Sequence, residues 1–325
     1  MKRGLWGGLA LVAGAALLLG GAAAPARAET LNVGKPQASV FDFVPLEIGI
    51  DKGIFAQHGV DIKVFTLRGA AEQQQALVAG AIDVGLGSGP AMAFAARGAT
   101  VKGVAEMASK PLALVLAVNA KGPIKKIADL KGKTISISSA GSITEWLIRE
   151  LQRQHGIPLD AVKLVGLGSN SSQMAALRTG QTDGLPTDIF LATKYQREGI
   201  LRVLVNFGDI EPHFILHVIF AGDQAIAKKP DAIRRFLAGW FDTIKYMRTH
   251  KKTSIKIAAD TTKVPEEVVS SLYGEVMPMF SENGHFDRKA LAVLARSFVA
   301  LKLLPKEPDM STLYTEKLLP TAAAK

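Results

Sequence analysis

The sequence contains no cysteine. That excludes a disulfide framework, a thiolate metal site, a cysteine nucleophile and an acceptor for a lipid anchor. Histidine is scarce and dispersed, six in all. The nearest pair, His213 and His217, falls in a segment read as extended, where four residues span about 13 Å, too far for one metal ion. His-Glu-x-x-His is missing too, so neither a metal nor a cofactor is expected. Aromatic residues make up only 6% and do not interleave with the basic pairs Lys125-Lys126 and Lys228-Lys229. Those lysines read as a solvated face, not a nucleic-acid surface.

Two glycine-containing stretches fail as nucleotide or catalytic motifs. Gly132-Lys133-Thr134 ends like a phosphate-binding loop, but Ile127 stands where its first glycine belongs, and the triplet precedes a strand. Gly85-Leu86-Gly87-Ser88-Gly89 lacks the dinucleotide-binding spacing, and Leu86 occupies the first glycine position of a nucleophile elbow around Ser88. No enzyme chemistry is legible.

Long apolar runs are confined to the N-terminus. Lys2 and Arg3 precede a small, apolar stretch from Leu5 to Ala24, closed by Pro25-Ala26-Arg27-Ala28. This order is that of a secretory signal peptide over residues 1–28, cut before Glu29. The alternative is a retained anchor, for which the Ala/Gly-rich centre is short against a span of about 20 residues. A soluble periplasmic protein is the expectation. Three of the surplus positive charges, Lys2, Arg3 and Arg27, leave with the peptide, so the net charge of +10 overstates the basicity of the mature chain.

What remains is large and well supplied with apolar residues, 48% of the whole. A chain near the limit of one core predicts two lobes. From Leu31 to Met107 short apolar strands alternate with helical stretches punctuated by glycine: Val60–Val64, Ile82–Leu86 and Val101–Val104 read as strands, and Pro45 sits at a helix start. The pattern recurs, with strands expected at Thr134–Ser138, Lys163–Leu167, Thr182–Leu185 and Leu201–Phe207. It predicts two doubly wound α/β lobes with mainly parallel sheets. Ala76, Leu77, Gly80 and Asp83 match Ala176, Leu177, Gly180 and Asp183 at an offset of one hundred residues; duplication or shared helix-stop grammar would each produce this. The apolar segments Leu112–Asn119 and Phe214–Ala221 read as paired hinge strands, giving lobe one as 29–118 plus 218–325 and lobe two as 119–217. Two consecutive domains joined once are the alternative. The rest is helical, with Ile233, Phe236, Leu237, Trp240, Phe241, Ile244 and Met247 forming one core-facing stripe after Lys229-Pro230-Asp231.

In such folds ligands bind beyond the carboxyl ends of the strands. The loops there are rich in small residues: Leu67-Arg68-Gly69-Ala70, Gly87-Ser88-Gly89-Pro90, Ser138 to Thr144 (with Ser139, Gly141, Ser142 and Thr144) and Gly168 to Ser172. Free N–H groups at helix starts suit an anionic head group, although the same serines and glycines serve equally as caps. Phe41-Asp42-Phe43 offers aromatic faces and a carboxylate to the same cleft, and Asp188 a second acid. Each Asp is read either as a cap or as a contact for a positive or hydrogen-donating group, as in an amino-sulfonate, an amino-carboxylate or an aminopyrimidine.

Four blocks, in this order, carry a resemblance: Phe43-Val44-Pro45-Leu46 through Lys52-Gly53-Ile54-Phe55 and Gly59-Val60-Asp61-Ile62; Ala76 to Gly85; Asp129 to Ile135; and Ala176 to Asp183. Together they resemble the nitrate/sulfonate/taurine substrate-binding family of ABC importers, which also includes the thiamine-pyrimidine binders. The resemblance implies a type II periplasmic binding fold that closes on a small anionic or zwitterionic solute and docks, as a monomer, on an inner-membrane ABC permease. By position it implies that Phe41 to Phe43, Gly69-Ala70, Ser88-Gly89, Gly141-Ser142 and Asp188 line the cleft. A pyrimidine-precursor binder or a related exported enzyme is the alternative; the family's pyrimidine synthases use cysteine-rich features that this sequence lacks.

Overall fold

A computed structural model describes residues 28–320. The expected signal peptide lies outside the described residues, apart from Ala28.

The first half builds β1 (Glu29–Lys35), α1 (Val44–Asp51), α2 (Ile54–Gln57), β2 (Val60–Thr66), α3 (Ala70–Val78), β3 (Val84–Ser88), α4 (Met92–Ala96) and β4 (Val101–Ser109). The second builds β5 (Leu114–Asn119), β6 (Lys133–Ile137), α5 (Ile143–Gln154), β7 (Val162–Gly166), α6 (Asn170–Arg178), β8 (Gly184–Asp188), α7 (Ile189–Arg197) and β9 (Leu201–Asn206). After α8 (Phe207–Ile210) come β10 (Ile215–Gly222), α9 (Asp223–Lys228), α10 (Pro230–Thr249), α11 (Lys251–Thr262), α12 (Glu266–Val276) and α13 (Arg288–Ala300). Among the described residues no helix is long and apolar enough to cross a membrane.

The strands form two five-stranded sheets of the same plan, β2-β1-β3-β10-β4 and β7-β6-β8-β5-β9. In each, three strands run parallel, as β-helix-β units require, and the fourth position holds an antiparallel strand. That fourth strand is β10 in one sheet and β5 in the other, so the chain passes between sheets at 110–113 and again at 207–214. Residues 114–118 therefore pair in the second sheet, against β8 and β9, and the outward passage falls several residues before the one read at Asn119. An all-apolar strand carries no alternation to say which sheet it joins.

The letter match at one hundred residues has a structural counterpart. Gly80 and Gly180 both take left-handed backbone, with φ of 70° and 73°, the conformation that ends a helix at glycine. Ala81 and Gln181 then donate to Ala76 and Ala176 at 2.9 Å each. Asp83 accepts from the Asn32 N–H and Asp183 from the Thr134 N–H, both at 2.9 Å. Each aspartate, in the turn before the central strand, thus ties the start of that strand to the neighbouring one.

The larger core lies around the first sheet. The α10 stripe expected from spacing is buried there: Ile233, Phe236, Leu237, Trp240, Phe241, Ile244 and Met247. Burying one such side chain contributes roughly 1.5–3 kcal/mol. Asp287 caps α13 by accepting from Lys289 N at 2.8 Å.

Candidate functional site

The chain leaves β1 through Val40 in extended conformation and tightens into a 3₁₀ turn over Phe41–Phe43, directly before α1. All three residues of the turn are buried. Phe41 reaches Phe190 of α7, ring centroids 4.4 Å apart, and lies edge-on to Tyr273 at 6.0 Å. Phe190 follows the second sheet, whereas Phe41 follows the first. The contact therefore joins the two halves.

Asp42 points the other way along the turn. Its Oδ2 lies 2.6 Å from His217 Nε2, while Oδ1 is buried without a partner among the described residues. His217 sits on β10 opposite Ser88 of β3. Its Nδ1 faces the Gly87 carbonyl at 3.3 Å, a group that only accepts, so Nδ1 carries its hydrogen and one proton is shared between Nε2 and Asp42. The Phe43 ring leans over the imidazole at 5.1 Å. With both ring nitrogens engaged, His217 has none left for the Ser88 hydroxyl, and an Asp-His-Ser relay does not form.

Asp188 ends β8 and caps α7, accepting from Phe190 N at 2.8 Å and Leu191 N at 3.2 Å through Oδ1. Its Oδ2 and the neighbouring Thr187 hydroxyl are buried with no partner among the described residues. Burial pushes the Asp188 carboxyl up to about 8, and the nearby Asp42 adds to the rise against the two cap donors. It caps a helix and lies near Asp42, an acid that follows the other sheet.

Of the residues read from sequence, the structure gathers Phe41, Asp42, Phe43, Ser88 and Asp188 at this junction. It adds His217 and Phe190, which sequence reasoning passed over. Gly89 is adjacent, but what approaches it is protein: a Cβ there would meet the Ile215 carbonyl at 2.1 Å. Gly69, with φ of 96°, and half-buried Ala70 open α3, and no acceptor for the Ala70 N–H is present among the described residues. The Ser138–Thr144 loop is closed on itself. Thr144 Oγ1 accepts from Ser138 N at 3.0 Å and lies 2.8 Å from Ser142 Oγ, the Gly141 N–H donates to Glu145, and Ser139 is exposed. Gly141 is left-handed and abuts Leu303, whose carbonyl takes the Arg97 guanidinium. A surface hollow of about 390 Å³, lined by Trp146, Arg149, Arg153, Leu159 and Ala300, includes none of these residues. We place the chemistry at the junction, where buried polar atoms lack partners.

A family profile described as NMT1/THI5 like matches residues 40–254. An Escherichia coli K12 protein described as an aliphatic sulfonates-binding protein is 27% identical over 245 residues, covering 73% of each chain. The alkanesulfonate-binding protein SsuA of Xanthomonas axonopodis pv. citri, solved with MOPS, shares the fold with a TM-score of 0.75 at 19% identity. That match covers 88% of this chain and 98% of the other. The desulfurization enzyme DszB also shares it, at TM-score 0.66 and 17% identity over 89% and 97%. Two matching mixed sheets and a profile spanning most of both agree: the chain belongs to the NMT1/THI5-like family and has the α/β fold of its periplasmic binding proteins.

Proposed function

We propose that this protein is the periplasmic solute-binding subunit of an ABC importer, holding a small organic anion or zwitterion between its lobes and handing it to a permease as a monomer. The observation that carries the reading is the junction itself. Carboxyl groups from both halves, Asp42 and Asp188, are buried side by side, each with one oxygen lacking a partner among the described residues. Buried polar atoms without partners are costly in a finished structure, and a solute between the lobes would satisfy them.

The two passages at 110–113 and 207–214 would act as the hinge, since they carry the chain across between the sheets. Lobe one then comprises the first sheet with the C-terminal helices, and lobe two the second sheet. The segment 1–28 would direct export. The sulfonate-binding descriptions of relatives support a solute of that kind, with a pyrimidine precursor as the other class the family suggests.

An enzymatic role, for which DszB is the structural precedent, finds less support. His217 has no nitrogen free to serve as a base for Ser88.

Isothermal titration of ligand-stripped protein against sulfonates, amino acids, nitrate and pyrimidines tests the proposal. Micromolar binding to one class is expected. A folded, stripped sample that binds nothing across such a screen would overturn it, as would turnover that a change at the junction abolishes.

A further inference from the structure

The two acids at the junction are not equivalent, and their remaining capacity can be counted. On Asp42, Oδ2 is taken by His217 and Oδ1 has no partner; on Asp188, Oδ1 is taken by two helix N–H groups and Oδ2 has no partner. One oxygen per half is left, each on a residue at most 6% exposed. Among the described residues no lysine or arginine is ion-paired with either acid, and the buried Lys35 is paired with Glu47. His217, already engaged on both nitrogens, is the one basic group bonded to them.

The surroundings limit what fits. Phe41 and Phe190 pack against each other on one flank, and Phe43 covers His217 on the other. The buried donors left over nearby are neutral ones, the Thr187 hydroxyl beside Asp188 and the Gln73 amide beside Gly87, and neither carries a charge that would balance a second anion. Two buried carboxyl oxygens without donors favour a hydrogen-donating cation, which takes the place of the proton that Asp188 otherwise holds, over a further negative group.

We propose that the Asp42–Asp188 pair is a subsite for a basic nitrogen: the solute presents an amine or amidine that donates one N–H to Asp42 Oδ1 and another to Asp188 Oδ2. This inference rests on the solute-capture reading and narrows it. The nitrogen is the group that ties the halves together, because each N–H finds its acceptor on a different lobe. A sulfonate without an amine, or nitrate, would bring a negative group to the acids and leave both oxygens unpaired.

The test uses the mature chain and matched pairs that differ only in the nitrogen: 2-aminoethanesulfonate against ethanesulfonate, 3-aminopropanoate against propanoate, and 4-aminopyrimidine against pyrimidine. Titration is run beside mass spectrometry of any molecule released on denaturation. At least one amino member is expected to bind about a hundredfold more tightly than its partner, the scale of a lost hydrogen bond to a charged group. Asp188→Asn, which retains the cap, and Asp42→Asn should each shrink that preference below about tenfold with circular dichroism unchanged.

Equal or tighter binding of the partner lacking nitrogen overturns the subsite and leaves solute capture standing. So does a released molecule without basic nitrogen, or a preference unmoved in both variants. Protein that neither binds any probe nor releases any molecule overturns the capture reading, and the subsite with it.

Discussion

Phe41 and Phe190 meet with ring centroids 4.4 Å apart, one following a strand of the first sheet and the other opening a helix on the second. Both rings are fully buried, so the contact stabilises the joint between the two sheets as well as the local core.

Phe41→Ala should therefore cost about 3–5 kcal/mol of stability, in the range of other buried phenylalanine truncations. Because part of the loss is between halves, the variant should also populate a more open form. Urea unfolding would give the first quantity, and a larger radius of gyration in solution scattering the second. An unchanged radius would show that other contacts hold the halves together.

The Asp188 carboxyl gives folding a pH dependence of definite sign. Its folded-state value of about 8 lies above the ordinary carboxylate range, so the folded protein holds a proton that the unfolded chain releases. Its contribution to stability is then full below about pH 4 and falls as pH rises toward about 8. Melting temperature followed from pH 5 to 8 should decline, and Asp188→Asn should flatten the decline. A steeper decline in that variant would contradict the assignment.

Glu106 adds a second titration, away from the junction. It lies on β4, accepts from Asp287 N at 3.0 Å, and is pushed up to about 7 by burial, with Asp287 and Glu316 reinforcing the rise. The sign is the same: a raised acid destabilises the folded state between its ordinary range and about pH 7. Glu106→Gln should raise stability at pH 8 relative to pH 5, as measured by chemical denaturation at both.

Asp83 and Asp183 occupy matching places, so their removal should have matching effects. Loss of a buried acceptor for a strand N–H costs about 1–3 kcal/mol. Asp83→Ala should cost more than Asp183→Ala, because Asp83 also holds Lys229 at 3.0 Å. The double variant should show additive losses, since the two sites lie in different sheets.

Much of the fold was legible because its signals are local. The strand read at Val60–Val64 lies within β2, Leu201–Phe207 coincides with β9 to one residue, and the helix expected after Lys229-Pro230-Asp231 is present as α10. Pairing was less so. Nothing in Leu114–Asn119 says that it lies between β8 and β9, because a strand buried on both faces has no alternation.

The candidate site divides along the same line. Phe41, Asp42, Phe43 and Asp188 stand at strand-to-helix turns, where rules of fold apply. His217 acquires its meaning from Asp42, 175 residues earlier, and the one local hint was a lone histidine in the apolar run Ile215–Gly222. The Ser138–Thr144 loop shows the reverse case: hydroxyls that cap a helix and hydroxyls that await an anion are spelled alike.

The place of β10 has a consequence for folding. The first sheet cannot close until the chain as far as residue 222 is available to fold, because β10 is the strand that lies between β3 and β4. The second sheet, contained wholly within residues 114–206, can be finished before then. During that interval β3 and β4 each present an unsatisfied edge, the kind of surface that templates aggregation. A fragment ending near residue 210 should thus carry one complete sheet and one with two open strand edges.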